Sequence, residues 1–316
     1  MLQRIRDACA RVADRARYVR IAGDVEDYLA TFDRSALTRP VYDLDHHFRG
    51  DAEATVTFVV VLDAINFGSG YFSGLRKEAG ASGYATVASA LARWFVREGP
   101  PAPETLVQLD AEDVAGLLGQ DLGDPLRAEL MRLYAEALAG LGATVLERFE
   151  GRFEALVEGA SHSAERLAAL LAEMPFFRDV WRYDGLEVPL YKRAQITASD
   201  LALAFDGVGY GAFTDLDRLT IFADNVVPHV LRWDGVLEYA PALARRIDAG
   251  IRLEAGSPEE VEVRAVAVHA VERLVAAARR RGWAVCAREF DVALWERGQR
   301  APYRDRPAHR TLTTAY

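Results

Sequence analysis

Apolar residues recur at helical spacing through most of the chain. Over residues 2–17, Leu2, Ile5, Cys9, Val12 and Ala13 share a face with arginine and aspartate opposite, which predicts an amphipathic helix. Asp24 is placed to cap a short second helix carrying Leu29 and Phe32. Residues 55–67 are ambiguous: Val56, Phe58, Val59, Val60, Val61, Leu62 and Ile65 favour a strand by propensity and a buried helix by length, and length decides for helix. Residues 84–96 read as a helix, and 98–103 as a proline-rich break. Asp110, with Asp113 at the N3 position, caps a helix that turns Val114, Leu117 and Leu118 inward. Residues 125–149 and 163–171 repeat apolar positions at three and four, the pattern of packed helices.

Two stretches break this rhythm. Tyr183-Asp184-Gly185 predicts a hairpin turn between Val180-Trp181 and 186–188. In 219–232, Asp224 lies between an apolar run and Pro228, which lacks the N–H that a continuing helix bonds, so the chain is expected to turn there. An acid so placed is either a helix cap or a charge set among apolar groups for chemistry. A helix opening at Tyr191-Lys192 and reaching Phe205 closes on the glycines of 206–211, and 241–247 and 258–281 are further helices. Residues 290–295 form a last apolar segment. With no repeat or linker in view, the expectation is a mostly α protein, a single large domain over 1–316 with a small β hairpin.

Composition narrows the function. The 316 residues are 51% hydrophobic and 27% charged, enough for a large core. A net charge of −9 disfavours general affinity for duplex DNA or an anionic membrane. Cys9 and Cys286 are the two cysteines and suggest neither a disulfide framework nor a cysteine zinc site. The beginning of the chain lacks a leader-like apolar core, and the run 56–62 is too short for a bilayer, so a soluble cytoplasmic protein is expected. His229 and His269 stand alone in helical contexts and the carboxylates lack metal-loop spacing, so neither metal nor cofactor is expected. His46 and His47 are either solvated loop residues or, one of them, part of a pocket. Gly68-Ser69-Gly70 lacks the Gly-Lys-Ser continuation of a phosphate loop.

Several blocks together carry a resemblance: Tyr191-Lys192-Arg193-Ala194-Gln195-Ile196, Asp200, the glycines of 207–211, Phe213 with Asp215, and Leu219-Thr220-Ile221-Phe222-Ala223-Asp224 followed by Pro228. Asp63 with Asn66-Phe67, Glu260 with Glu262 and Arg264, Asp291 with Leu294-Trp295, and His309-Arg310 with Tyr316 extend it. From about residue 50 onward the chain resembles the queuosine salvage family, the queuosine 5'-phosphate N-glycosylases/hydrolases. It departs from the eukaryotic pattern at 68–70, where glycines precede the aromatics.

The resemblance implies cleavage of the glycosidic bond of queuosine 5'-monophosphate to queuine and ribose 5-phosphate, on a helical fold similar to helix-hairpin-helix DNA glycosylases. The partner is then a small nucleotide, with no nucleic acid and no membrane. Asp224 is the expected carboxylate beside the sugar, stabilising or capturing the ribosyl cation. Lys192 is expected at the phosphate or beside Asp224, with His309 and Arg310 as further basic candidates and Arg193 facing outward or structurally paired. Asp291, with Trp295 one turn on, is the candidate for the ammonium arm of queuine, against a plain capping and core reading. Phe222 and Phe67 are candidates for the base faces, and His47, Asn66 and Asp200 for further substrate contacts. The competing readings are a nucleic-acid base N-glycosylase and a non-catalytic nucleotide-binding helical module.

Overall fold

A computed structural model describes residues 1–37 and 40–316. Its helices, in chain order, are α1 (Leu2–Arg15), α2 (Val25–Thr31), α3 (Ala52–Ala64), α4 (Gly83–Glu98), α5 (Pro103–Gln108), α6 (Ala111–Leu117) and α7 (Pro125–Arg148). There follow α8 (Phe153–Gly159), α9 (Ala164–Leu171), α10 (Lys192–Ala204), α11 (Val226–Trp233), α12 (Pro241–Asp248), α13 (Pro258–Arg280) and α14 (Ala287–Gly298). Strands β1 (Val19–Ile21), β2 (Val180–Tyr183), β3 (Leu186–Pro189) and β4 (Leu237–Tyr239) make two antiparallel pairs, β1 with β4 and β2 with β3. The protein is thus mostly α, and among the described residues no helix is long and apolar enough to cross a membrane. The chain divides into two compact units, Met1–Pro40 with Asp179–Lys192 and Asp217–Leu312, and Val41–Arg178 with Arg193–Leu216 and Thr313–Tyr316.

The first unit is organised on α13. Ser257 caps it by accepting the Glu260 N–H, and Glu259 and Glu260 in its first turn with Arg279 and Arg280 in its last complement the helix dipole. It is buried on nearly every face, from Glu260 to Ala278, because α1, α2, α11, α14 and β1 all pack on it. Glu262, fully buried, accepts the backbone N–H groups of Arg17, Tyr18 and Val19 and the Tyr183 hydroxyl at 2.6–3.0 Å. This ties the end of α1 and the start of β1 to the central helix. The expected hairpin forms with Val180 paired to Pro189 and Tyr183 to Leu186, and Asp184 (φ 46°) and Gly185 (φ 78°) supply the two left-handed residues of its turn.

The second unit packs α3 against α4, α7 and α8, and α7 against α5 and α6. Of residues 55–67, those to Ala64 are helical as length argued, and 65–67 lie beyond the helix end: α3 begins under an Asp51 cap and buries every residue from Ala54 to Ala64, the environment in which an all-round apolar run is stable. Asp110 and Asp113 form the expected reciprocal capping box. Asp215 accepts from the Ser163 hydroxyl and the Ala164 N–H, fastening the start of α9.

Pro228 requires a correction. It lies inside α11, in the first turn, where a missing N–H costs no helical bond, so the helix starts at Val226 and Val227 is helical despite preceding a proline. Strands β1 and β4 and helices α5 and α8 carried no clear sequence signal, being three to seven residues long.

Candidate active site

The central stretch of 219–232 delivers Asp224 to the mouth of α11. Its Oδ1 accepts the N–H groups of Val226 (2.7 Å) and Val227 (3.1 Å), so the residue is a cap after all. It is also more than that. Although partly exposed, its carboxyl has its pKa raised, first by desolvation; Lys192, the two amides and Arg264 act in the opposite direction.

Asp291 on α14 lies close to it. Asp291 is buried, its Oδ1 accepts the Phe222 N–H at 2.8 Å, and its pKa stands well above the usual carboxylate range through desolvation and then the charge of Asp224. The Phe222 amide and Lys192 offset this in part. Of the two acids Asp291 is the less supported as a charge, with one amide donor against two for Asp224.

Asp291, the candidate for the ammonium arm, has one carboxyl oxygen engaged by the Phe222 amide. Trp295, one turn further along α14, is half-buried. Phe222 is 4% exposed and enters the site through its backbone.

Lys192, the first residue of α10, is 6% exposed, and its N–H donates to Asp179 Oδ2 at 3.1 Å. Tyr191 before it has a left-handed backbone (φ 48°), an uncommon conformation for an aromatic residue and one that neighbours must enforce. Asp179 does so: its carbonyl accepts the N–H groups of Leu190 (2.9 Å) and Tyr191 (3.3 Å). Its carboxylate takes the Trp181 indole and a two-pronged pair from Arg264 at 2.6 and 2.9 Å. Arg264, fully buried, also gives its Nε–H to the carbonyl of Ala223 at 2.8 Å. Sequence reading passed over Asp179, whose partners are remote in the chain, and left Arg264 without a role.

The other expected residues fall elsewhere. His309 is 2% exposed, with its pKa pushed down to about 3 by burial and by Arg264, so it is neutral and brings no charge to a phosphate. Arg310 is exposed, and its carbonyl accepts the Leu253 N–H.

In the second unit, Arg193 does not face outward: at 1% exposure it donates to the Ala64 carbonyl (2.7 Å) at the end of α3 and lies against the rings of Phe67 and Phe177. Phe67, a candidate for a base face, is 2% exposed, and its ring lies against Arg193, Phe176 and Tyr134. Asn66 donates to Asp63 Oδ1 at 3.1 Å. His47 shares a 2.7 Å hydrogen bond with the Tyr84 hydroxyl, and burial lowers its pKa to about 4. Desolvation raises the Tyr84 pKa, and the charges of Asp200 and Asp63 add to the shift, so both carboxylates border this His–Tyr pair. Among the described residues no three His, Cys, Asp or Glu side chains are grouped to hold a metal ion.

In this helical protein two carboxyls with raised pKa and a buried lysine are grouped together, the mark of an enzyme's site. The chain belongs to the queuosine salvage protein family, whose description matches residues 46–316. It is similar to the queuosine 5'-phosphate N-glycosylase/hydrolase of Sphaerobacter thermophilus, 40% identical over 313 residues, 97% of this chain and 95% of that one. The proteins of the same name from Dictyostelium discoideum (33% over 275 residues, 87% and 82%) and Bos taurus (33% over 233 residues, 71% and 67%) are also similar.

Proposed function

We propose that this chain hydrolyses the N-glycosidic bond of queuosine 5'-monophosphate, giving queuine and ribose 5-phosphate. The observation that carries the reading is the grouping of Asp224, Asp291 and Lys192, supported by the names of relatives that align along most of the chain. In the reaction the bond from the anomeric carbon to the base nitrogen breaks with its electron pair leaving on the base. The sugar becomes an oxocarbenium ion, and water adds its oxygen to that carbon. One proton of the water is released and the base nitrogen gains one, so the sum is substrate plus water.

The 7-deazaguanine ring of queuine has carbon where a purine has its seventh ring nitrogen, so protonation there cannot assist departure. Stabilisation must come from the sugar side. Asp224, fixed by two amides before the substrate arrives, supplies a negative charge that needs no reorganisation, an effect worth about 3–4 kcal/mol where single preorganised groups have been removed. Lys192 opposes the upward shift that desolvation gives Asp224, and Asp291, whose pKa is raised well above the usual carboxylate range, holds the Phe222 backbone beside it. His47, Asn66 and Asp200 stay in the proposal as substrate contacts on the strength of the resemblance.

The test is direct. Purified protein incubated with queuosine 5'-monophosphate releases free queuine, and Asp224→Asn, which keeps the capping oxygen, binds the nucleotide but loses turnover by about 10²-fold or more. Normal turnover by the Asn variant would end this reading.

A further inference from the structure

Lys192 and Asp224 are 32 positions apart on different elements, yet a single buried ion pair holds the backbone of both. On one side, Asp179 Oδ2 receives the Lys192 N–H, while the Asp179 carbonyl receives those of Leu190 and Tyr191 and so maintains the left-handed turn that launches Lys192. On the other, Arg264 Nε–H holds the carbonyl of Ala223, the residue bonded to Asp224. The two halves meet in the paired contacts of the Arg264 guanidinium with the Asp179 carboxylate, at 3% exposure or less. Only the planar fork of arginine can serve both carboxylate oxygens and a carbonyl on its third nitrogen.

We propose that Asp179 and Arg264 are the positioning pair of this enzyme, setting the placement of the Lys192 ammonium relative to the Asp224 carboxylate. This rests on the reading of Lys192 and Asp224 as catalytic groups. A plain stabilising role predicts that any variant still folded turns over normally. A positioning role predicts loss of turnover in folded protein, because a displacement near 1 Å at a reacting centre costs about 10²-fold.

The experiment compares Arg264→Lys and Asp179→Asn with wild type, folding being verified by circular dichroism and thermal melting. Arg264→Lys retains the charge but has one nitrogen for three acceptors; we expect kcat to fall about 10²-fold with KM within about threefold. Asp224 is faced by Lys192 from α10, Arg264 from α13 and Asp291 from α14. In Asp179→Asn the Arg264 cation loses one of its two buried counter-charges, Glu260 remaining at 3.6 Å, and acts more strongly on Asp224, so the acid limb of the kcat–pH profile moves to lower pH, while in Arg264→Lys it stays in place. If either variant fails to fold, Trp181→Phe carries the test, since it removes only the indole N–H from Asp179 Oδ1. A several-fold fall in kcat at constant KM supports the proposal. Folded variants with wild-type kcat and an unmoved acid limb overturn it. Asp224→Asn is assayed alongside: if it is active, the functional reading fails, and if it is inactive while the positioning variants are normal, only this inference fails.

Discussion

Asp291 Oδ1 accepts the backbone N–H of Phe222, two residues before Asp224, so the acid on α14 braces the strand of chain that carries its neighbour. Desolvation raises the pKa of both carboxyls, and the charge of Asp224 adds to the shift of Asp291.

The stability of the protein should report this. The folded pKa of Asp291 lies above its unfolded value of about 3.9, so its contribution to stability is complete below that pH and is lost as pH rises through the folded pKa. Asp291→Asn, neutral at every pH and still able to accept from Phe222, should melt higher than wild type at pH 8, by on the order of a few degrees. The difference should close on acidification towards pH 4. Differential scanning calorimetry across this range checks it, and a gap independent of pH contradicts it.

Lys192→Met removes the cation that most opposes the upward shift of Asp224. The Asp224 pKa then rises further, and because the ionised form is the one that stabilises the sugar cation, activity should disappear at a higher pH on acidification than in wild type. At the pH optimum kcat should be lower by about 10²–10³-fold. The pH–rate profile of the variant decides this.

Glu262 bears on stability rather than chemistry. Glu262→Gln keeps the size but turns an amide N–H₂ towards donors that the carboxylate accepts from, the Arg17, Tyr18 and Val19 amides and the Tyr183 hydroxyl. A loss of about 2–3 kcal/mol in urea unfolding is expected, as for a buried charge-assisted network broken at its centre.

Gly142 marks the closest approach of α7 and α5. A Cβ there would stand 2.5 Å from the Pro103 carbonyl and 3.1 Å from Leu106 and Val107. Gly142→Ala should gain helix propensity yet lower stability by about 1–3 kcal/mol, because backbone has to move. A melting temperature above wild type would show that the α5–α7 contact yields easily.

Much of this was legible in the chain because it is local. The Asp110–Asp113 capping box, the Asp184-Gly185 turn and the helix of 258–281 with its sorted charges depend on residues within a turn or two of each other, and the structure has all three. The helical state of 55–64 was also readable, although its β-branched residues favour a strand, since so long an apolar run suits a helix buried on all sides. Asp224 was singled out from its position between apolar residues and Pro228; it accepts the first amides of α11 and also lies beside Lys192 and Asp291.

The sequence by itself determined the helical character, the caps, the hairpin and the family, because these follow from periodicity, turn chemistry and long blocks of matching residues. Only the tertiary structure decided which charges are buried together. The Arg264–Asp179 pair spans 85 positions and the Glu262 contacts reach across about 245, and no local pattern encodes such encounters. His309 and Asp291 show the same dependence: either could carry charge as written in the chain, and burial shifts both towards the neutral form, because the cost of desolvating an ion is set by what the fold places around it.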